Sequence, residues 1–240
     1  AGNIGKPCFD IIDEIRVDTT IVLELSCHQL EFVGASPHIA ILLNLYEEHL
    51  DHYLSAADYY SAKKNIFKHQ KADDYLIYGD VWQHTSPEEI EHAPAGTKID
   101  LSSEAPIKLT EIHTQLLGEH FAKDILAVYY ACTALGLEKD EILQAIAKFH
   151  GLPHRLEYIG RHKNIDFYND SIATAQEAVI SAIKAVKNVD TIILGGMDRG
   201  LDYHPLVEFL RSSSVRNVLL LPNTAESFER IFNEAPYSQK

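Results

Sequence analysis

Three groups of residues in this chain carry the types and spacings that chemistry needs. Glu24 interrupts the apolar run Ile21-Val22-Leu23-Glu24-Leu25. A carboxylate inside a buried strand is costly unless a basic side chain or a cation offsets it, so Glu24 is either ion-paired or a ligand. A second apolar run, Ile39–Leu45, leads into Tyr46-Glu47-Glu48-His49-Leu50-Asp51-His52. His49 and His52 suit zinc if they share a helix face, but no Cys or third His stands at a matching spacing. The cluster suits Mg²⁺ held mainly through water and phosphate oxygen, and equally a solvated acidic loop. Lys63 is the third. At helical spacing it is flanked by Ala56, Tyr59, Tyr60, Ile66 and Phe67, whereas Lys64 takes a border position beside Ala57, Tyr60, Ser61, Phe67 and Lys68. A lysine on an apolar face is desolvated and holds more free amine. The alternative is a lysine whose stem lies on that face while its ammonium reaches water.

These residues need a scaffold, and the pattern supplies an α/β one. Ile21–Leu25 and Ile39–Leu45 read as strands buried on both faces, and Tyr75–Tyr78, Asp166–Tyr168, Thr191–Leu194 and Val215–Leu221 as further strands. Helical patterns run over Ser55–Gln70, Glu119–Leu135, Lys139–Phe149, Ala175–Val186, Pro205–Arg211 and Thr224–Asn233. Ser86-Pro87-Glu88-Glu89 and Thr174-Ala175-Gln176-Glu177 spell capping boxes. The alternation predicts α/β layers with mainly parallel strands. Gly151-Leu152-Pro153-His154-Arg155 breaks the helical pattern, which places a domain boundary near residue 150 and domains at 1–149 and 150–240.

Composition narrows the function. Of the 240 residues 46 % are hydrophobic and 23 % charged, and 21 basic against 35 acidic side chains give a net charge of −14. That balance excludes a disordered chain and argues against a general nucleic-acid surface. No run approaches the roughly 20 apolar residues of a membrane span. Cys8, Cys27 and Cys132 are too few for a disulfide framework, so a reduced, cytoplasmic setting is expected. The chain starts in a loop-like sequence without Met, and its second α/β series is short. Both features read as an internal fragment of a longer protein.

Taken in order, several short strings resemble the Mur ligases, the ATP-dependent amide ligases of peptidoglycan precursor synthesis. They are Gly2-Asn3-Ile4-Gly5, Glu24-Leu25-Ser26-Cys27-His28-Gln29-Leu30-Glu31, Asn44 with His49-Leu50-Asp51, Ala62-Lys63-Lys64-Asn65-Ile66, Gly118-Glu119-His120, Gly151-Leu152-Pro153-His154-Arg155, Asn169-Asp170-Ser171 and Leu194-Gly195-Gly196. The resemblance implies a central ATPase domain (1–149) of mainly parallel sheet with flanking helices, and a Rossmann-like C-terminal domain (150–240), both incomplete. The Gly-Lys-Ser/Thr phosphate loop occurs nowhere in the chain.

By the same resemblance Glu24 and His49 are Mg²⁺ ligands, and Lys63 is the lysine that CO₂ converts to a carbamate, with Lys64 as the fallback. Arg155 and Asp170 meet ATP at phosphate and ribose, with Asp124 and His120 completing the nucleotide set. Asn3, Ser26, Gln29, Thr174 and Arg199 form the substrate set. The implied reaction joins glutamate, D-glutamate first, to UDP-N-acetylmuramoyl-L-alanine through an acyl phosphate, in an enzyme that is a monomer at full length. Three positions depart from the family pattern. Asp124 replaces an Asn, Ile172 replaces a Lys, and Arg199 stands where a Lys is common; a guanidinium can grip a carboxylate bidentately. The alternatives are a folylpolyglutamate-synthase-like ligase and an inert fragment or binding module. A nicotinamide site at Leu194-Gly195-Gly196 is disfavoured because Gly-x-Gly-x-x-Gly is missing there.

Overall fold

The computed structural model describes residues 1–46, 52–81, 84–103, 112–118, 121–196 and 202–234. The chain divides into two compact units, 1–111 with 123–143 and 112–122 with 144–240.

In the first unit, β1 (Ile39–Asn44), β2 (Tyr75–Asp80) and β3 (Thr97–Asp100) pair in parallel in that order, with Ile39 opposite Tyr75 and Tyr75 opposite Thr97. Successive side chains alternate between faces, and both faces are covered. Ala40, Leu42, Leu76 and Tyr78 join a core with Tyr59, Tyr60, Ala62 and Phe67 of α2 (Ala56–Lys68) and Ile90 of α3 (Pro87–Glu91). Ile39, Ile41, Leu43, Ile77 and Ile99 pack the other way, against Leu126, Ala127, Tyr130 and Ala131 of α4 (Ala122–Ala134). That two-sided burial is why β1 and β2 read as near-continuous apolar runs. A short 3₁₀ segment (Cys8–Glu14) and the four-residue α1 (Cys27–Leu30) precede the sheet.

Caps fix the helix starts. Ser55 accepts from the Asp58 amide ahead of α2. Ser86 and Glu89 form the expected capping box at α3, each accepting from the other's backbone N–H. A second box, Ser26 with Gln29, opens α1.

The expected strand Ile21–Leu25 is a correction. Among the described residues only a single parallel bridge, Glu24 to Gly2, engages it, and β1 pairs only with β2. Ile21, Val22 and Leu23 are 41, 78 and 43 % exposed. An apolar run has strand propensity, but a strand requires a neighbouring backbone along its length. Among the described residues Ala1–Asn3 supply only a short one, through Ala1 N to Val22 O (3.0 Å), Glu24 N to Ala1 O (3.0 Å) and Asn3 N to Glu24 O (2.8 Å).

The second unit holds an antiparallel hairpin, β4 (Glu157–His162) with β5 (Ile165–Asn169), and a parallel pair, β6 (Thr191–Leu194) with β7 (Asn217–Leu220). The hairpin turns on Lys163 and Asn164, both at positive φ (46° and 62°), a two-residue geometry that follows the twist of the strands. Helix α5 (Lys139–Lys148) precedes it, running across the division between the units. One face of β6 and β7 is packed by α6 (Gln176–Ala185), α7 (His204–Ser212) and α8 (Pro222–Glu234) through Ile183, Leu194, Leu206, Val207, Leu210, Phe228 and Ile231. Among the described residues no helix is long and apolar enough to cross a membrane.

Candidate active site

In the first unit α2 presents its two adjacent lysines very differently. Lys64, expected at the border, is the buried one at 8 % exposure, and both oxygens of Glu89 accept from its Nζ, at 3.0 and 2.8 Å. Lys63 is only half-buried; its Nζ lies 5.3 Å from the Tyr59 ring centroid, and no carboxylate pairs with it among the described residues. The expectation that Lys63 occupies the centre of the apolar face is therefore corrected. Neighbour counts along one helix do not reveal which side the sheet covers, nor that a carboxylate 25 residues away reaches Lys64. The Lys64 ammonium beside Glu89 holds that carboxyl below the usual glutamate range.

Glu24 is exposed rather than enclosed in a strand, and its carboxylate meets no cation among the described residues. Its backbone is firmly placed. The Glu24 amide donates to Ala1 O (3.0 Å), and the Asn3 amide donates to Glu24 O (2.8 Å). Gly2 makes this approach possible: its φ is +123°, and a Cβ there would collide with the Glu24 carbonyl oxygen. Asn3 and Glu24 are thus brought together. Ser26 and Gln29 are neighbours as well, but they engage each other in the α1 box, with Ser26 N donating to Gln29 Oε1 (3.0 Å) and Gln29 N to Ser26 Oγ (3.3 Å). Helix α1 leans on α2, where Asn65 Nδ2 donates to Leu30 O at 3.0 Å.

In the second unit the loop 151–156 is locked to the loop after β5. The Leu156 amide donates to Asp170 Oδ1 (2.8 Å), Asn169 Nδ2 meets His154 Nδ1 (2.8 Å), and the Ile172 amide donates to His154 O (3.3 Å). His154 and Leu156 flank Arg155 with φ of 65° and 45°, a left-handed conformation that non-glycine residues adopt only when surroundings hold them. The result presents Arg155 to solvent, with no side-chain partner among the described residues, beside a fixed Asp170. The hydrogen bonds that join the two loops were not legible in the sequence, since Asn169 and His154 gave no periodic signal.

Thr174 does not cap α6. That helix starts at Gln176 behind Ala175, without a side-chain cap, because the chain first turns through an Ala173 N–H to Asp170 O bond (3.0 Å). Thr174 itself is exposed. Asp124 sits half-buried in the first turn of α4, where the helix dipole favours a carboxylate. His49, His120 and Arg199 lie outside the described residues. Among the described residues no three His, Cys, Asp or Glu side chains group closely enough to hold a metal ion.

The Mur ligase middle domain profile matches residues 13–86. A Listeria monocytogenes protein described as UDP-N-acetylmuramoylalanine–D-glutamate ligase is 31 % identical over 247 residues, covering 96 % of this chain and 54 % of that protein. The protein of the same description from Trichlorobacter lovleyi is 30 % identical over 100 % of this chain and 57 % of its own length. The chain belongs to the Mur ligase family. Its fold agrees: MurF from Acinetobacter baumannii superimposes with a TM-score of 0.69 at 16 % identity, covering 88 % of this chain and 53 % of that one. Folylpolyglutamate synthase from Mycobacterium tuberculosis, complexed with ADP, reaches 0.62 at 16 % identity, over 82 % of this chain and 51 % of that one. The Mur ligase chain described here spans about half the length of the relatives it matches.

Proposed function

We propose that this Mur ligase chain carries the nucleotide- and metal-handling part of an ATP-dependent ligase that joins D-glutamate to UDP-N-acetylmuramoyl-L-alanine in peptidoglycan precursor synthesis. The observation that carries the reading is the 31 % identity extending over 96 % of the chain to a protein described as that ligase. In this reading 1–149 is the central ATP-binding domain and 150–240 the C-terminal ligase domain.

The residues fit the chemistry asked of them. Transfer of the ATP γ-phosphoryl group to the alanyl carboxylate gives an acyl phosphate and ADP; the glutamate amine then attacks the acyl carbon, and phosphate leaves. Charge building on phosphoryl oxygens must be offset, a service Mg²⁺ supplies when bound. Mg²⁺ prefers oxygen ligands, and Glu24 offers an exposed carboxylate without a cation partner. His49 is the second ligand of this reading. Lys63, not Lys64, is the residue CO₂ modifies, since Glu89 already holds the Lys64 ammonium. The ammonium first gives one proton to solvent; the free amine then attacks CO₂, an N–C bond forms and a second proton leaves, so a cation becomes a carbamate anion with two oxygens. Arg155 stands ready for a phosphate, and Asp170, immobilised by the Leu156 amide, for a ribose hydroxyl. His120 and Asp124 complete the nucleotide set, and Asn3, Ser26, Gln29, Thr174 and Arg199 the substrate set.

The 240 residues contain no Gly-Lys-Ser/Thr loop, so the chain alone is expected to bind substrate without completing ligation. Saturation-transfer NMR with UDP-N-acetylmuramoyl-L-alanine and with dihydrofolate tests the assignment. Contact to the muramoyl compound that weakens in Asn3→Ala supports it. Contact to the folate alone moves the chain to the folylpolyglutamate-forming class.

A further inference from the structure

The proposed chemistry does not use His154, yet both polar atoms of its backbone and one ring nitrogen are engaged. Its amide donates to Glu157 Oε2 (2.8 Å), its carbonyl accepts from the Ile172 amide (3.3 Å), and its Nδ1 meets Asn169 Nδ2 (2.8 Å). Glu157 and Asn169 face each other across the β4–β5 hairpin, so the two side chains of one cross-strand pair hold the same residue. His154 stands at φ 65°, a left-handed conformation that an L-residue leaves unless its surroundings hold it there. Arg155 follows directly, and on its far side the Leu156 amide is tied to Asp170 Oδ1. Both neighbours of Arg155 are therefore moored to the segment 169–172.

The direction of each bond in the side-chain mooring can be assigned. The Ser171 amide lies 3.1 Å from Asn169 Oδ1 and can only donate, so the oxygen of the Asn169 amide faces Ser171 and its nitrogen faces His154. Asn169 Nδ2 can likewise only donate. His154 Nδ1 must then be the acceptor, which makes the ring neutral with its proton on Nε2. Two bonds thus run in one direction, from Ser171 N–H to Asn169 Oδ1 and from Asn169 Nδ2 to His154 Nδ1.

We propose that Asn169 is a positioning residue for Arg155: by holding the His154 ring it fixes the peptide that carries the guanidinium toward an anionic phosphate oxygen of a nucleotide. The inference rests on the reading of Arg155 as a phosphate ligand. Asn169 acts only through His154. Without that bond His154 relaxes toward negative φ, and the Arg155 backbone turns with it. An arginine on a moving loop must be ordered at the moment of binding, and that cost is taken from the affinity; a loop fixed beforehand avoids it.

The test uses the 240-residue chain with ¹⁵N-labelled histidine, ADP as the phosphate probe, and unchanged β6 and β7 amide shifts as the control for folding. Long-range ¹H–¹⁵N spectra, taken well above the ordinary histidine value of about 6.5, report which ring nitrogen of His154 carries the proton. Wild type is expected to show Nε2–H. Because the free ring favours that form too, the deciding variant is Asn169→Asp, whose carboxylate accepts at Nδ1 and is expected to move the proton there. ADP affinity is read from the Leu156 amide shift. Asn169→Ala and His154→Ala are expected to weaken it about three- to tenfold, the size of one neutral hydrogen bond. His154→Asn tolerates the left-handed conformation, offers Oδ1 in place of Nδ1, and is expected to restore the wild-type affinity. A His154 proton that stays on Nε2 in Asn169→Asp overturns the proposal. Wild-type ADP affinity in Asn169→Ala, with the shift abolished by Arg155→Ala, overturns the positioning role and leaves the phosphate reading standing. An ADP shift that is absent from wild type, or that survives Arg155→Ala, overturns the phosphate reading and the positioning role with it.

Discussion

Replacing Glu89 by glutamine leaves the Lys64 ammonium in place with its counter-charge gone. The Lys64 side chain is 10 % exposed and that of Glu89 48 %. Breaking a fully buried pair from one side costs about 3–5 kcal/mol, whereas an exposed pair contributes about 0–1 kcal/mol. With one partner enclosed and the other half in water, solvent screening brings the expected loss to about 1–2 kcal/mol. Glutamine still offers an oxygen to the Ser86 amide, so the capping box at α3 is not the source of the loss. Lys64→Met fills a similar volume without charge, and the double variant is expected to recover most of the stability. Urea unfolding of the four proteins at pH 7 closes the cycle. Wild-type stability in Glu89→Gln, or a double variant no more stable than Glu89→Gln, refutes the argument. The pH dependence has a definite sign. The folded carboxyl is lowered, so its contribution is complete above the ordinary glutamate value of about 4.3 and is lost as pH falls through the lower folded value.

Three further outcomes are expected. Gly2→Ala pushes the Glu24 carbonyl away and opens the Gly2–Glu24 bridge; hydrogen exchange at the Asn3 and Glu24 amides then speeds up while β2 amides stay protected, and unchanged exchange at Asn3 contradicts this. Asp170→Ala leaves the Leu156 amide without its acceptor at a positive-φ residue, which is worth about 1–2 kcal/mol and a roughly tenfold faster exchange of that amide. The hydrogen bond from His38 keeps the Asp74 carboxyl below its usual range, with Nδ1 and Oδ1 2.7 Å apart. His38→Ala is thus less stable than wild type above the ordinary aspartate value of about 3.9, and the difference closes as pH falls through the folded Asp74 value. A difference that widens on acidification contradicts that assignment.

How much of this was legible follows from what each signal encodes. β1 and β2 stood out because burial on both faces makes their residues mostly apolar, and β6 and β7 by their short apolar runs, although Ile193 and Leu219 are 64 and 54 % exposed. β3 was missed: Thr97-Lys98-Ile99-Asp100 has one apolar side chain, and its pairing with β2 fixes it instead. The β4–β5 hairpin was only half visible, since Tyr158, Ile159, Ile165 and Phe167 are all at least 48 % exposed and no one-sided pattern forms. At the site, the Ser86–Glu89 box could be read from four consecutive residues, but Glu89's second partner, Lys64, is a tertiary fact. The same holds for the bridge that anchors Glu24: Gly2 is 22 residues away, and only the fold shows that its lack of a Cβ admits Glu24's backbone.

Leu76 and Ile77 are consecutive, aim at opposite faces of β2, and are both fully enclosed. β2 therefore serves as a party wall between the α2 layer and the α4 layer, and neither layer can peel off without wetting a residue bonded to the other's. Heat or denaturant should dissolve both layers in one step. Lys63 on α2 and Asp124 on α4 would then lose their settings at the same temperature, whichever side of the wall first takes in water.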